Sequence, residues 1–515
     1  MQSDVSRLHF FSSLVFVFVE SFVPLQSDFF LVIIQVFYIM RLPNPLVSFV
    51  PIICLVAMIC IAVNFFGADA MSGGSQICML CAAAVSAALS MLFYKGSWTV
   101  IEKGIVRTLG NTSAAIIILL LIGMISGTWM ISGVVPTLIY YGIQIISPQF
   151  YLLSACVICA VVSVMTGSSW TTIATIGIAL LGIGKALGVS EAWAAGAIIS
   201  GAYFGDKISP LSDTTVLASS SAGVNIFDHI RYMLYTTTPS FIISLAIFLV
   251  FGLNTHNDSE IMVDEYLSGL SSSFNISVWT LIVPVLTGIL IARKMPAIIT
   301  LFAASVFAAI CAIILQPDLL RQIADSDGNI FKGLFITCFG HTAIDTGSAN
   351  LNELVSTNGM AGMLNTVWLI LCALTFGGVM LSTRMIESIT TMILRFVKGR
   401  SSLVSSTVAT AIFSNLTTGD QYTSIILSAS MFKDAYHKLG YENRLLSRTT
   451  EDSATVTSVL VPWNTCGLTQ ATVLGVSTLT YLPYCFFNII SPLMTIFVAM
   501  IGWKIRKPAF RQIDE

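Results

Sequence analysis

Ser200-Gly-Ala-Tyr-Phe-Gly-Asp-Lys-Ile-Ser-Pro-Leu-Ser-Asp-Thr-Thr215 interrupts an otherwise lipid-soluble chain with Gly201, Gly205, Asp206, Lys207, Pro210, Asp213 and a run of hydroxyls. Gly and Pro free backbone polar groups, and each such group is costly if left unsatisfied in hydrocarbon. A segment of this kind survives at membrane depth by lining a protein-enclosed, hydrated cavity. It reads as half of an ion-binding site in a secondary transporter.

The surroundings set that reading. Of 515 residues, 56% are hydrophobic and 10% charged, with a mean hydropathy of +0.87. Soluble domains carry about 25% charged residues, so the chain is an all-α polytopic membrane protein. A net charge of −2 gives no nucleic-acid footprint. The 11 cysteines lie mostly in apolar runs and read as small hydrophobes rather than disulfides. Cys78-Met-Leu-Cys81 has no second pair, so no transition-metal site is expected.

Apolar spans of about 20 residues fall near 46–66, 75–94, 113–133, 149–166, 232–254, 276–292, 297–315, 364–383 and 478–503, with a short helix over Pro136–Ile146. The blocks 166–216 and 402–476 are hydrophobic but repeatedly interrupted, as broken helices and re-entrant hairpins are. The total expected is roughly 10–13 transmembrane helices. Residues 1–39 read as a hydrophobic extension, either an extra anchor or an over-extended reading frame before Met40. The first half is then 40–254, the second 276–503, with an external loop at 255–275 and a cytoplasmic tail at 504–515. The basic residues Arg293-Lys294, Lys504, Arg506, Lys507 and Arg511 put their ends in the cytoplasm. The acidic Asp258, Glu260, Asp264 and Glu265, and the loop Asp318–Asp327, then fall outside.

A shift of 252 positions brings two patterns together. Thr166-Gly-Ser-Ser-Trp-Thr-Thr172 meets Thr418-Gly-Asp-Gln-Tyr-Thr-Ser424, Leu187-Gly188 meets Leu439-Gly440, Pro210 meets Pro462 and Gly110 meets Gly362. Two structural repeats with the site at their interface are expected, in the inverted arrangement common among secondary transporters. Helix breaks are placed at Gly167, Pro210, Gly419 and Pro462.

The cation- and proton-binding candidates are Asp213, Asp206, Asp420, Glu451 and Asp452, because an intramembrane acid is expensive and functional by default. Ser209, Ser212, Thr214, Thr166, Ser168, Thr418, Asn415, Asn464 and Thr465 are the supporting polar ligands. Such oxygens suit a small hard cation such as Na⁺, and a desolvated carboxylate can hold a proton at the same place. Asp213, just past Pro210, is the leading carboxylate, with Asp206 and Asp420 the alternatives. For any single hydroxyl, a hydrogen bond within or between helices is the blander and commoner role. Gly201/Gly205 and Gly123/Gly127 are explained by helix packing alone. Asp206 with Lys207, and Glu451-Asp452 with Arg444 and Arg448, could instead be structural ion pairs. Glu191 reads as the start of a helix, and His341 with Asp345 as a loop or cap pair ahead of a pH-responsive one.

Gly205-Asp-Lys-Ile-Ser-Pro-Leu-Ser-Asp-Thr-Thr215 resembles the NhaC family of Na⁺/H⁺ antiporters. Thr418-Gly-Asp-Gln421 and Glu451–Gly467, with Val461-Pro-Trp-Asn-Thr465, are similar to that family too, and the resemblance runs from about Met40 to Lys507. It implies Na⁺ efflux coupled to H⁺ entry at a bacterial inner membrane, with Li⁺ a further candidate cation, and a possible homodimer in the lipid bilayer. No cofactor is called for beyond the transported Na⁺ and H⁺, and no enzyme activity. Some members resemble malate/lactate exchangers, so a coupled organic-anion exchanger or an amino-acid transporter on the same fold is the alternative.

Overall fold

The computed structural model describes residues 42–66, 73–254, 260–293, 295–324 and 328–505. Residues 1–39, and the basic Lys294, Arg506, Lys507 and Arg511, lie outside the described residues, as does Asp258.

In chain order the helices are α1 (Pro45–Phe66), α2 (Gly74–Phe93), α3 (Trp98–Ile131), α4 (Val134–Ile145), α5 (Tyr151–Thr166), α6 (Ser169–Ala186, with a π turn at Ile173–Gly177), α7 (Glu191–Ile208), α8 (Asp213–Ala222), α9 (Ile226–Asn254), α10 (Glu260–Ser273), α11 (Ile282–Ala292) and α12 (Ala297–Leu315). There follow α13 (Pro317–Ile323), α14 (Ile330–Phe339), α15 (Ala349–Val355), α16 (Leu364–Ser382), α17 (Met385–Leu394), α18 (Arg400–Thr418), α19 (Gln421–Lys438), α20 (Asn443–Thr450), α21 (Thr465–Leu474) and α22 (Phe486–Ile501). A π turn (Glu451–Thr455) and a 3₁₀ turn (Ser458–Leu460) continue α20. Among the described residues there is no strand, only an isolated bridge between Thr342 and Thr357.

Eight of these helices are long and apolar enough to cross a membrane, or up to ten if each of two bent pairs counts as one span. That meets the lower end of the expected number. Their outward residues, such as Ile53, Phe65, Leu92, Phe302 and Ile314, are large and apolar, as lipid requires.

The repeat is written in the backbone. α6 and α19, the stretches 191–208 and 443–460, and α8 and α21 begin and end 252 positions apart. Left-handed glycines fall at Gly167 and Gly419, Gly188 and Gly440, and Gly223 and Gly475, all at the same spacing. α1 and α12 also start 252 positions apart. Gly110 and Gly362 are not conformational equivalents, since one lies within α3 and the other in a 3₁₀ turn.

Three segments differ from expectation. α3 starts at Trp98 rather than near residue 113 and runs 34 residues. At 1.5 Å per residue that exceeds a hydrocarbon core of about 30 Å, so its charged first turns project past the apolar layer. The supposed external loop contains α10, whose Tyr266 and Leu270 are buried with Phe274 just after them. The Asp318–Asp327 loop contains α13.

The tightest helix pair is α5 on α7. A Cβ at Gly201 would strike the Cys156 carbonyl, and one at Gly205 the Ala160 carbonyl and Ser163. Backbone cannot yield as a side chain can. Gly201→Ala is therefore expected to destabilise the protein by about 1–3 kcal/mol, read as a lowered melting temperature in detergent.

Candidate functional site

The hairpin α5–α6 turns at Gly167, whose φ is +65°. A Cβ there would lie 2.7 Å from the Leu211 carbonyl carbon. Glycine thus lets the hairpin tip touch the break between α7 and α8. Ser168 caps α6 by accepting from the Thr171 amide (3.2 Å), and Ser212 caps α8 by accepting from the Thr215 amide (3.4 Å). Both first turns open on one cavity of about 560 Å³, lined by Thr166, Ser168, Thr171, Asp206, Ser212, Asp213 and Thr214. At roughly 30 Å³ per water it has room for more than about ten.

Asp206, 6% exposed, sits in the last turn of α7. Its Oδ2 accepts from the Ser169 amide (3.1 Å) and hydroxyl (2.7 Å). These two donors join the end of α7 to the first turn of α6. Asp213, the first residue of α8, is exposed to the cavity. Two carboxylates around one cavity wide enough for water can exchange a hard cation or a proton with it.

A second layer lies behind the wall. Thr214 Oγ1 is 3.0 Å from Ser212 Oγ and donates to Glu451 Oε1 at 3.1 Å. Glu451 is fully buried, and its Oε2 has no hydrogen-bond partner among the described residues. Asp452 turns the other way and forms a buried ion pair with Lys207. Lys207 also donates to Ser491 Oγ (2.8 Å), and Thr236 Oγ1 donates to Asp452 Oδ2 (2.7 Å). Arg448 Nε stands 4.0 Å from Asp452 Oδ2, with its guanidinium 4.5 Å over the Tyr232 ring.

These placements separate the alternatives. Asp206 does not pair with Lys207: successive helical residues point about 100° apart, so Asp206 meets α6 while Lys207 meets the second half. Arg448 does accompany Asp452, whereas Arg444 pairs with Glu442. Glu191 opens α7 and also pairs with Lys185 at 2.8 Å. His341 and Asp345 share no helix. His341 Nδ1 lies 2.8 Å from Asn358 Oδ1, and Asp345 accepts from the Gly347 amide.

Thr166, Ser168, Ser212 and Thr214 reach the cavity, and other proposed ligands do not. Ser209 donates to the Val164 carbonyl (2.8 Å) and ties the break to α5. Asn415 donates to the Ala454 carbonyl (2.7 Å). Asn464 caps α21, and the Thr465 amide donates to the Gly419 carbonyl (2.8 Å), so the break around Pro462 meets the second hairpin tip. Asp420 caps α19, and Thr418 Oγ1 lies 3.3 Å from Ser424 Oγ. Sequence reasoning missed Asn111 and Thr112 of α3, Thr300 of α12 and Tyr422, which complete the cavity wall. Thr300 is a single polar residue on an apolar span and Asn111-Thr112 a short polar pair within α3, with no local pattern to mark them, whereas Tyr422 lies inside the repeated Thr418–Ser424 pattern.

Repeated halves, apolar helices and a hydrated acid-lined cavity at the first helix break define a multi-pass membrane transporter. The chain belongs to the Na⁺/H⁺ antiporter family, whose sequence model matches residues 30–224 and 201–503. It is 38% identical to the Na(+)/H(+) antiporter NhaC of Alkalihalophilus pseudofirmus, covering 84% of this chain and 90% of that one. It is 37% identical to the malate-2H(+)/Na(+)-lactate antiporter of Bacillus subtilis, covering 77% and 82%. The NhaC antiporter of the same bacterium is 34% identical, covering 80% and 89%.

Proposed function

We propose that this protein exchanges Na⁺ for H⁺ across the cytoplasmic membrane of a bacterium, with both ions visiting the cavity at the α6 and α8 N-termini. The carrying observation is Asp206, a nearly buried carboxylate that lines a hydrated cavity and has no ion-pair partner among the described residues. Na⁺ requires its charged form and H⁺ removes that charge, so occupancy by one excludes the other. Asp213 supplies a second negative charge at the open side and concentrates cations there. Glu451, one hydroxyl behind the wall, is the deeper proton acceptor.

The cavity wall includes Ile291, Met295 and Pro296, at the corner that carries Arg293. With that basic end in the cytoplasm, the cavity faces inward. Exchange of an organic anion would need an anion pocket, from free helix N-termini at the breaks or from a buried cation. Here the α6 N-terminus already holds the Asp206 carboxylate and Asp213 opens α8. Lys207 and Arg448 are not among its lining residues, and Lys207 is committed to Asp452. This supports the cation reading over the malate/lactate one.

Purified protein in proteoliposomes tests the reading. An imposed Na⁺ gradient is expected to move protons with no organic anion present. Proton movement that appears only on adding malate, lactate or an amino acid would overturn it.

A further inference from the structure

The contacts around the first site recur, residue for residue, in the second half. The hydroxyl pair Thr166–Thr172 (3.1 Å) becomes Thr418–Ser424 (3.3 Å). Ser163 donating to the Ala202 carbonyl (2.6 Å) becomes Asn415 donating to the Ala454 carbonyl (2.7 Å). Ser169 on Asp206 (2.7 Å) becomes Ser458 on Gln421 (3.4 Å). Thr171 on Ser168 (3.1 Å) becomes Thr423 on Asp420 (2.7 Å). Each half thus holds one carboxylate in this arrangement, on different partners: the helix end in the first half and the hairpin cap in the second.

Capping does not explain the second carboxylate. Ser168 performs the same task with a neutral hydroxyl. At Asp420, Oδ2 alone does the capping, accepting from the Thr423 amide (2.8 Å) and hydroxyl (2.7 Å). Among the described residues its Oδ1 is buried with no hydrogen-bond partner, and so is Ser414 Oγ, one turn before Thr418. Asp420 is 2% exposed, and among the described residues no Lys, Arg or His lies within ion-pair distance. A buried carboxylate with a free oxygen and no counter-ion is costly unless a cation joins it. Its sequence neighbours Gln421 and Tyr422 line the cavity, so a path from water to Asp420 is short.

The geometry points to a second, repeat-related Na⁺ site with Asp420 as its charged ligand, distinct from the site at Asp206. It rests on the antiport reading in that the first site supplies the pattern. Two sites, each where a break touches a hairpin tip, are expected to make Na⁺ uptake cooperative.

Equilibrium binding of radioactive Na⁺ to the purified full chain tests it. Wild type is expected to bind two Na⁺ per chain. Asp420→Ser keeps a capping oxygen, as Ser168 shows, and is expected to bind one, with a melting temperature that holds or rises in the absence of Na⁺. One Na⁺ on wild type, or two on Asp420→Ser, overturns the second site while leaving antiport at Asp206 standing. No Na⁺ on wild type overturns both. A Hill coefficient for Na⁺-driven proton flux that falls toward unity in Asp420→Ser would support it further.

Discussion

Asp206→Asn is expected to abolish Na⁺-driven proton flux, with a loss of roughly 100-fold or more, equivalent to about 3 kcal/mol of charge-assisted binding. Asparagine keeps the shape and can still accept from Ser169, so the helix ends should stay joined. What goes is the charge that Na⁺ needs and the base that H⁺ needs. The melting temperature should hold or rise, since a neutral amide is cheaper to bury. Asp213→Asn is expected to do less. Its carboxylate is exposed to the cavity and encloses nothing, so the apparent KM for Na⁺ should rise several-fold with the maximal rate nearly kept. Flux assays of the two variants in proteoliposomes decide the matter. Full loss in Asp213→Asn with flux retained in Asp206→Asn would move the exchanging carboxylate to Asp213.

The second large effect concerns stability. Lys207, Arg448 and Asp452 are all fully buried. Asp452→Asn leaves two cations without a carboxylate, and a cost of about 3–5 kcal/mol is expected. Lys207→Met should be milder, because the Arg448 guanidinium already stands 4.0 Å from Asp452 and can move onto it. Thermal melts in one detergent should rank wild type above Lys207→Met and Lys207→Met above Asp452→Asn. If Lys207→Met is the worse of the two, Arg448 does not serve as the reserve partner. Because Lys207 belongs to the first half and Asp452 to the second, both variants also loosen the joint between halves.

Much of this architecture could be read from local chemistry. A glycine in the left-handed region leaves a visible mark in sequence, and Gly167 with Gly419 shows the 252-residue spacing of the repeat directly. The helix breaks at Pro210 and Pro462 were legible for the same reason. Side-chain direction was not. Asp206 and Lys207 are neighbours in sequence, yet one faces α6 and the other a residue 245 positions away. Only the packing of the two halves sets that choice. The cavity wall was hidden for a related cause, since Thr300 or Asn111 on an apolar helix looks like any lipid-buried polar residue. α10 was missed because its polar face lowers the mean hydropathy that marks a span, while Tyr266 and Leu270 on the other face carry its burial.

The half-helices cross between repeats: α8 packs on α19, α20 and the π turn after it, and α21 packs on the first turns of α6. This bears on the order in which the chain is made. When Asp213 leaves the ribosome, the helices that cover α8 lie more than 200 residues downstream. At about 5–20 residues per second, the polar break waits on the order of 10–50 s for its cover. During that interval α8, with Asp213 and Thr214 at its start, is too short and too polar to rest in lipid. It is expected to stay in the insertion machinery or at the membrane surface, and to take its place only when α19 and α20 arrive.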